Sequence, residues 1–123
     1  MKSHGFLKFS WKSNVLYVQV LGPFNEEGVI EESSKYLSAI SNRKVADFSV
    51  IELWDEEALG SPKAMNDVCK LWKKLITQNC ISLAIVVPNS VQRDIAEKLL
   101  PSIGKVFGKI EDAEYWVLDR NCT

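Results

Sequence analysis

One histidine, His4, is all that this chain of 123 residues contains. A Ser–His or Cys–His nucleophilic system would therefore hang on a single residue close to the N-terminus. Cysteine is scarce too: Cys69, Cys80 and Cys122 are an odd number at wide spacing. That pattern is neither a disulfide framework nor a paired metal-ligand set, and it reads as reduced thiols in a cytoplasmic protein. Long apolar runs are missing, since Ile81 to Val87 falls far short of the roughly 20 residues a membrane helix needs. Residues Met1 to Phe6 lack the apolar core and cleavage site of a secretory leader. The six glycines form no Gly-x-Gly-x-x-Gly or Walker-type loop, so nucleotide cradling has no support. Charge of one sign is also lacking: 15 basic residues face 16 acidic ones, which argues against a nucleic-acid partner held by bulk electrostatics.

What is present is an ordinary globular composition, 46% hydrophobic and 25% charged, long enough for one domain over residues 1–123 with one continuous core. Alternating aromatics make Phe6 to Trp11 a strand, Ser13-Asn14 a tight turn and Val15 to Leu21 a second strand ended by Gly22-Pro23. Asn25 is placed to cap a helix, with Glu26 and Glu27 in its first turn. Val29, Ser33, Tyr36, Leu37 and Ile40 form its inner face, and Ser41 to Lys44 close it. Phe48 to Trp54 is the third strand, with Glu52 inside it. Ser61-Pro62 marks the next helix start, since proline suits the first helical position after a serine cap. Ala64, Met65, Val68, Trp72, Leu75, Ile76 and Asn79 trace its inner stripe, and Lys63, Lys70 and Lys74 share another side.

Ile81 to Val87 reads as a strand covered on both faces. Pro88 to Ser90 then leads into a helix carrying Val91, Ile95, Leu99 and Ile103, which Pro101 kinks or ends. A short strand at Val106-Phe107 precedes a last helix from Asp112, with Ala113, Trp116 and Val117 inward. The order β-β-α-β-α-β-α-β-α implies an α/β fold. An N-terminal hairpin leads into right-handed crossovers and a mostly parallel sheet of four or five strands with helices packed on it.

Three stretches carry a resemblance: Asn14 to Gly22, Val50 to Leu53 followed by a loop and the helix at Ser61, and Phe107 to Trp116 with Glu111 to Glu114. Together with the element order they resemble the STAS family of sulfate transporters and anti-sigma-factor antagonists. Ser3 to Phe6 and the Gly22 to Asn25 turn are most similar to the small stand-alone, SpoIIAA-like bacterial members. The resemblance implies a regulatory role through a protein partner, without catalysis. Regulatory members carry Asp-Ser-Ser/Thr-Gly, with a phosphorylated serine, where this chain has Leu59 to Lys63. Ser61 falls at or beside that serine, but Gly60 stands for the aspartate, and Pro62 and Lys63 follow. Capping alone explains Ser61-Pro62, so Ser61 as a phosphoacceptor is the lesser reading.

Ligands of parallel sheets meet the loops beyond the carboxyl ends of the strands. Those loops are Gly22 to Glu26, Trp54 to Ser61 and Pro88 to Gln92. They offer Phe24, Asn25, Trp54, Asp55, Glu56, Glu57, Asn89 and Ser90 as the candidate partner-binding set, with aromatics to anchor and carboxylates to orient. Asp55-Glu56-Glu57 is a solvated acidic loop rather than a metal site, since consecutive carboxylates cannot all aim at one ion. Glu52 is read two ways, as a carboxylate of shifted pKa or as a strand-end residue reaching water. Cys69 reads as a small buried hydrophobe and Trp72 as packing. The chain is expected to be non-enzymatic, with no catalytic residue, cofactor or metal. It is expected to meet a protein partner, with no nucleic acid and no membrane insertion, and a homo-oligomer stays open. The competing expectation is a carrier or sensor of a small apolar ligand, opposed by the demand that the core itself makes on apolar side chains.

Overall fold

Side chains alternate between exposed and half-buried along β1 (Phe6–Lys12). β1 pairs antiparallel with β2 (Val15–Leu21) across a turn in which Ser13 takes a positive φ of 54°. The computed structural model describes residues 4–43 and 46–121. Beyond the hairpin the chain alternates: α1 (Glu26–Arg43), β3 (Phe48–Trp54), α2 (Pro62–Thr77), β4 (Cys80–Val86), α3 (Ser90–Leu99), β5 (Gly104–Phe107) and α4 (Ile110–Asn121). Of the residues singled out above, Met1, Ser3, Lys44 and Cys122 lie outside the described residues.

The five strands lie in the order β1-β2-β3-β4-β5, and every pair after the hairpin is parallel. Each of α1, α2 and α3 joins neighbouring parallel strands, stepping one way across the sheet. Crossovers of one hand stepping one way put their helices on one face. The core is accordingly split. Leu16, Val18, Phe48, Val50, Leu83 and Ile85 meet Tyr36, Trp72, Leu75 and Ala96 of these helices on that face. Val15, Ile51 and Ala84 meet Ala113 and Val117 of α4 on the other. In β3 this alternation sends Phe48, Val50, Glu52 and Trp54 toward α1 and α2.

Several expectations shift. α3 does not bury Val91, which is 61% exposed; Gln92 and Ala96 turn inward instead. The Gln92 amide donates to the Asp55 carbonyl at 2.9 Å and takes the place the periodicity assigned to an apolar side chain. Asn79 lies past the end of α2 with a positive φ of 75°, suited to a helix exit, and is exposed. Trp116 is half-buried against Phe107, with the Arg120 guanidinium over its ring. Among the described residues no helix is long and apolar enough to cross a membrane.

The loops after β2 and β3 touch at Gly22, where an added Cβ would lie 2.3 Å from the Glu57 carbonyl oxygen and 2.7 Å from the Ala58 Cα. Both obstacles are backbone, so neither can swing aside. Gly22→Ala is expected to lower the unfolding free energy by about 1–3 kcal/mol. The check is the urea midpoint at unchanged slope; a variant as stable as the parent would mean that the two loops separate freely.

Candidate functional site

Four helices begin at the carboxyl end of the sheet, and the starts of α1, α2 and α3 are each closed by a side chain. The Asn25 Oδ1 accepts from the Gly28 amide of α1 at 2.8 Å and from the His4 amide at 2.9 Å. The Ser61 Oγ accepts from the Ala64 amide of α2 at 3.1 Å. The Asn89 Oδ1 accepts from the Gln92 amide of α3 at 2.9 Å. Such bonds satisfy amides that lack a partner within the helix.

Asp55 binds these loops together. Its Oδ1 accepts from the Gly22 amide at 3.3 Å and the Glu57 amide at 3.0 Å. Its own amide donates to the Val20 carbonyl, and its carbonyl accepts from the Ala58 amide and the Gln92 side chain. Asp55 thus fastens all three loops, and Phe24 adds a bridge to Gly60. Gln92 is fully buried and its Oε1 has no partner among the described residues.

The candidate set therefore divides. Glu56, Glu57, Ser61, Asn89 and Ser90 stand exposed at this end of the sheet, with Val91 beside them. Asn25 and Asp55 are half-buried and engaged within the protein. Phe24 is half-buried against the core. Trp54 is not presented to a partner: it is 7% exposed and stacked on Trp72 at 6.4 Å between ring centroids. Its place at the strand end suggested exposure, but the two-residue alternation of β3 points it under the helices.

Beneath the loops lies a group that the sequence only half disclosed. Glu52 sits in the middle strand, opposite Val18 on one side and Ile85 on the other, and is 3% exposed. Its Oε2 accepts from the Tyr36 hydroxyl at 2.7 Å and the Trp72 indole at 2.9 Å. Its Oε1 accepts from the Trp54 indole at 3.0 Å. Indole nitrogens only donate, so two of the three bonds require accepting carboxyl oxygens. Burial pushes the Glu52 carboxyl above the usual carboxylate range, and the three hydrogen bonds pull it back. Burial also holds the Tyr36 hydroxyl well above its ordinary value, helped by the Glu52 charge and hydrogen bond. The neighbouring Cys80 thiol is pushed up to about 12, chiefly by burial. Of the two readings of Glu52, that of a residue reaching water does not hold: the carboxyl is buried and its pKa is shifted upward.

Glu52 also lines a small cavity between the sheet, α1 and α2, with Tyr36, Trp54, Trp72, Phe24 and Met65 among its walls. A second buried carboxylate, Glu32, stands there, its oxygens taken by the Leu7 amide at 2.7 Å and the Lys35 ammonium at 2.6 Å. Neither Glu32 nor Tyr36 carries a sequence signal tying it to Glu52 or to the cavity; register and helix packing bring them together. Of the expected lysine face, Lys63 reaches Glu26 at 3.5 Å, while Lys70 and Lys74 stand with Asp67 along a groove between α1 and α2. Cys69 is half-buried, its thiol donating to the Leu99 carbonyl at 3.4 Å. Among the described residues no group of three or more His, Cys, Asp or Glu side chains could hold a metal ion.

A carboxyl whose folded pKa is raised keeps its proton longer in the folded than in the unfolded state. The Glu52 contribution to unfolding free energy is therefore expected to fall as pH rises from its ordinary 4.5 through the raised folded value, and to level off above it. Urea unfolding across acidic to neutral pH checks this against Glu52→Gln, in which that fall should vanish. Equal slopes in both proteins would refute it.

No protein-family model and no curated protein matches this chain. Solved structures do. One is an uncharacterized protein of the DUF3478 family with a SpoIIAA-like fold, from Shewanella loihica PV-4. It is 18% identical over 95% of this chain and 96% of its own, with a TM-score of 0.64. The protein TM1081, solved by NMR, is 17% identical over 96% of this chain and 93% of its own, with a TM-score of 0.69. The Bacillus cell fate determinant SpoIIAA, in its phosphorylated form, is 13% identical over 89% of this chain and 98% of its own, with a TM-score of 0.56. With a hairpin leading into a parallel sheet, three helices on one face and α4 on the other, the chain has the SpoIIAA-like fold of the STAS proteins that its sequence resembles.

Proposed function

We propose that this protein is a non-enzymatic regulatory module of the cytoplasm that meets a protein partner through the loops at the carboxyl end of its sheet. The observation that carries the reading is Asp55, which ties three loops into one unit at that end of the sheet. A surface already ordered before contact loses little conformational freedom on binding. Glu56, Glu57, Asn89, Ser90 and Val91 project from it, an acidic side beside a small polar and apolar one. The solved neighbour described as a cell fate determinant supports a regulatory role. The Ser61 hydroxyl serves as the α2 cap, and the contact is read without a phosphate on it.

Photo-crosslinking residues placed at Glu56 and, as a control, at the exposed Tyr115 of α4 test the surface in the native host. A defined protein adduct from position 56, absent from 115 and lost when Glu57→Lys is added, is expected. Adducts only from position 115 would move the contact to the other face. Ser61→Ala should cost about 1 kcal/mol of stability, the usual value of a lost cap, and leave the adduct in place. Phosphate on Ser61 in the intact mass would replace the capping reading with a switch.

The cavity under the loops favours a second reading, a carrier of a small ligand, since its walls are mostly apolar. A molecule held in native mass spectra and lost on denaturation would support it.

A further inference from the structure

Resting on the second reading, that the cavity takes a ligand, we infer that its occupant is a small methylated ammonium ion, held among the aromatic side chains of the cavity and by the carboxylate of Glu52. Glu52 accepts three hydrogen bonds from neutral donors, yet no Lys, Arg or His among the described residues lies in ion-pair distance of it. Glu32, in the same wall, is already neutralised by Lys35. When ionised, Glu52 is thus a buried negative charge without a counter-ion, a costly arrangement that a cationic guest would relieve. A carboxylate has about four acceptor positions, and the three donors leave one open on Oε1, the oxygen bonded only to Trp54.

The surroundings select the kind of cation. Tyr36, Trp54, Trp72 and Phe24 line the cavity, and aromatic faces attract cations most strongly where water is excluded. Beyond the two carboxylates and the engaged indoles and phenol, Ser33 is the one hydrogen-bonding side chain of the wall, so a bare ammonium would forfeit part of its own hydrogen bonds, while N-methyl groups need none. Size agrees. The cavity has about 40 Å³ open to the centre of a water-sized sphere, roughly three times what one water requires. That suits a compact head of a few heavy atoms and excludes a lipid chain.

The groove between α1 and α2 shares Val29, Ser33 and Leu71 with the cavity, so the way in lies between these helices. Lys70 and Lys74 line this groove, but they are exposed and screened by salt, whereas Glu52 is dry. Tyr36 from α1, Glu32 with Lys35 from α1 and Cys80 from β4 are the other ionisable groups around Glu52.

Tetramethylammonium, tert-butanol and pivalate present nearly the same methyl surface with positive, zero and negative charge. Their binding is read from the four indole N–H signals in NMR titrations of the full chain at neutral pH. The expected result is saturable movement of the Trp54 and Trp72 signals, with Trp11 and Trp116 as unmoved controls. Tetramethylammonium should bind at least about tenfold more tightly than either of the others. Its affinity should weaken as pH is lowered and Glu52 takes up its proton, and should be lost in Glu52→Gln while tert-butanol binding stays. If that variant does not fold, the pH titration of the native protein decides. Tighter binding of tert-butanol or pivalate would overturn the cation while leaving a ligand cavity. No movement with any probe would overturn both.

Discussion

A single buried carboxylate in the middle strand organises the larger half of this molecule. Glu52 stands where an apolar side chain would cost nothing, flanked across the sheet by Val18 and Ile85. Its charge can be held there only if hydrogen-bond donors replace the lost water. Those donors come from different elements: Tyr36 from α1, Trp72 from α2 and Trp54 from the same strand. Satisfying Glu52 therefore sets where α1 and α2 sit over the sheet, and with them the cavity between. An apolar residue at this position would relieve the burial cost but remove the directional constraint that large aromatic side chains otherwise lack.

Asp55, three residues further along, does related work in a wetter setting. Glu52 accepts from side chains and aligns helices, whereas Asp55 accepts from backbone amides and aligns loops. The two carboxylates sit on consecutive layers of the same structure, one under the helices and one at the sheet's end. Through Gln92 the outer layer also reaches α3, which turns its polar residue inward and leaves Val91 at the surface. The ordered loop surface and the aromatic cavity thus stem from one strand and the turn that follows it.

Much of the fold was legible in the sequence because its signals are local. The Ser13-Asn14 turn, the Ser61-Pro62 helix start and the apolar strand from Phe48 to Trp54 each depend on neighbours a few residues away, and each stands where it was expected. Alternation of strand and helix then implied a parallel sheet. The candidate site was legible only in part. Loop position brought Glu56, Glu57, Asn89 and Ser90 to one end, but a loop-end tryptophan cannot be read as exposed or engaged from sequence spacing. Trp54 proved to be a buried hydrogen-bond donor, whereas Asn25 caps α1 as its place before Glu26 and Glu27 implied.

Sequence by itself determined the element order, the capped helix starts at Asn25 and Ser61 and the near balance of 15 basic against 16 acidic residues. These follow from short-range propensity and composition, which need no partner distant in the chain. Tertiary structure alone decided that Tyr36, Glu52 and Trp72 meet, across separations of 16 and 20 residues, and that the Leu7 amide of β1 reaches the buried Glu32 of α1. Whether a carboxylate in a strand faces water or the core depends on which helices cover that face. That covering is a property of the packed sheet and not of the strand's own residues.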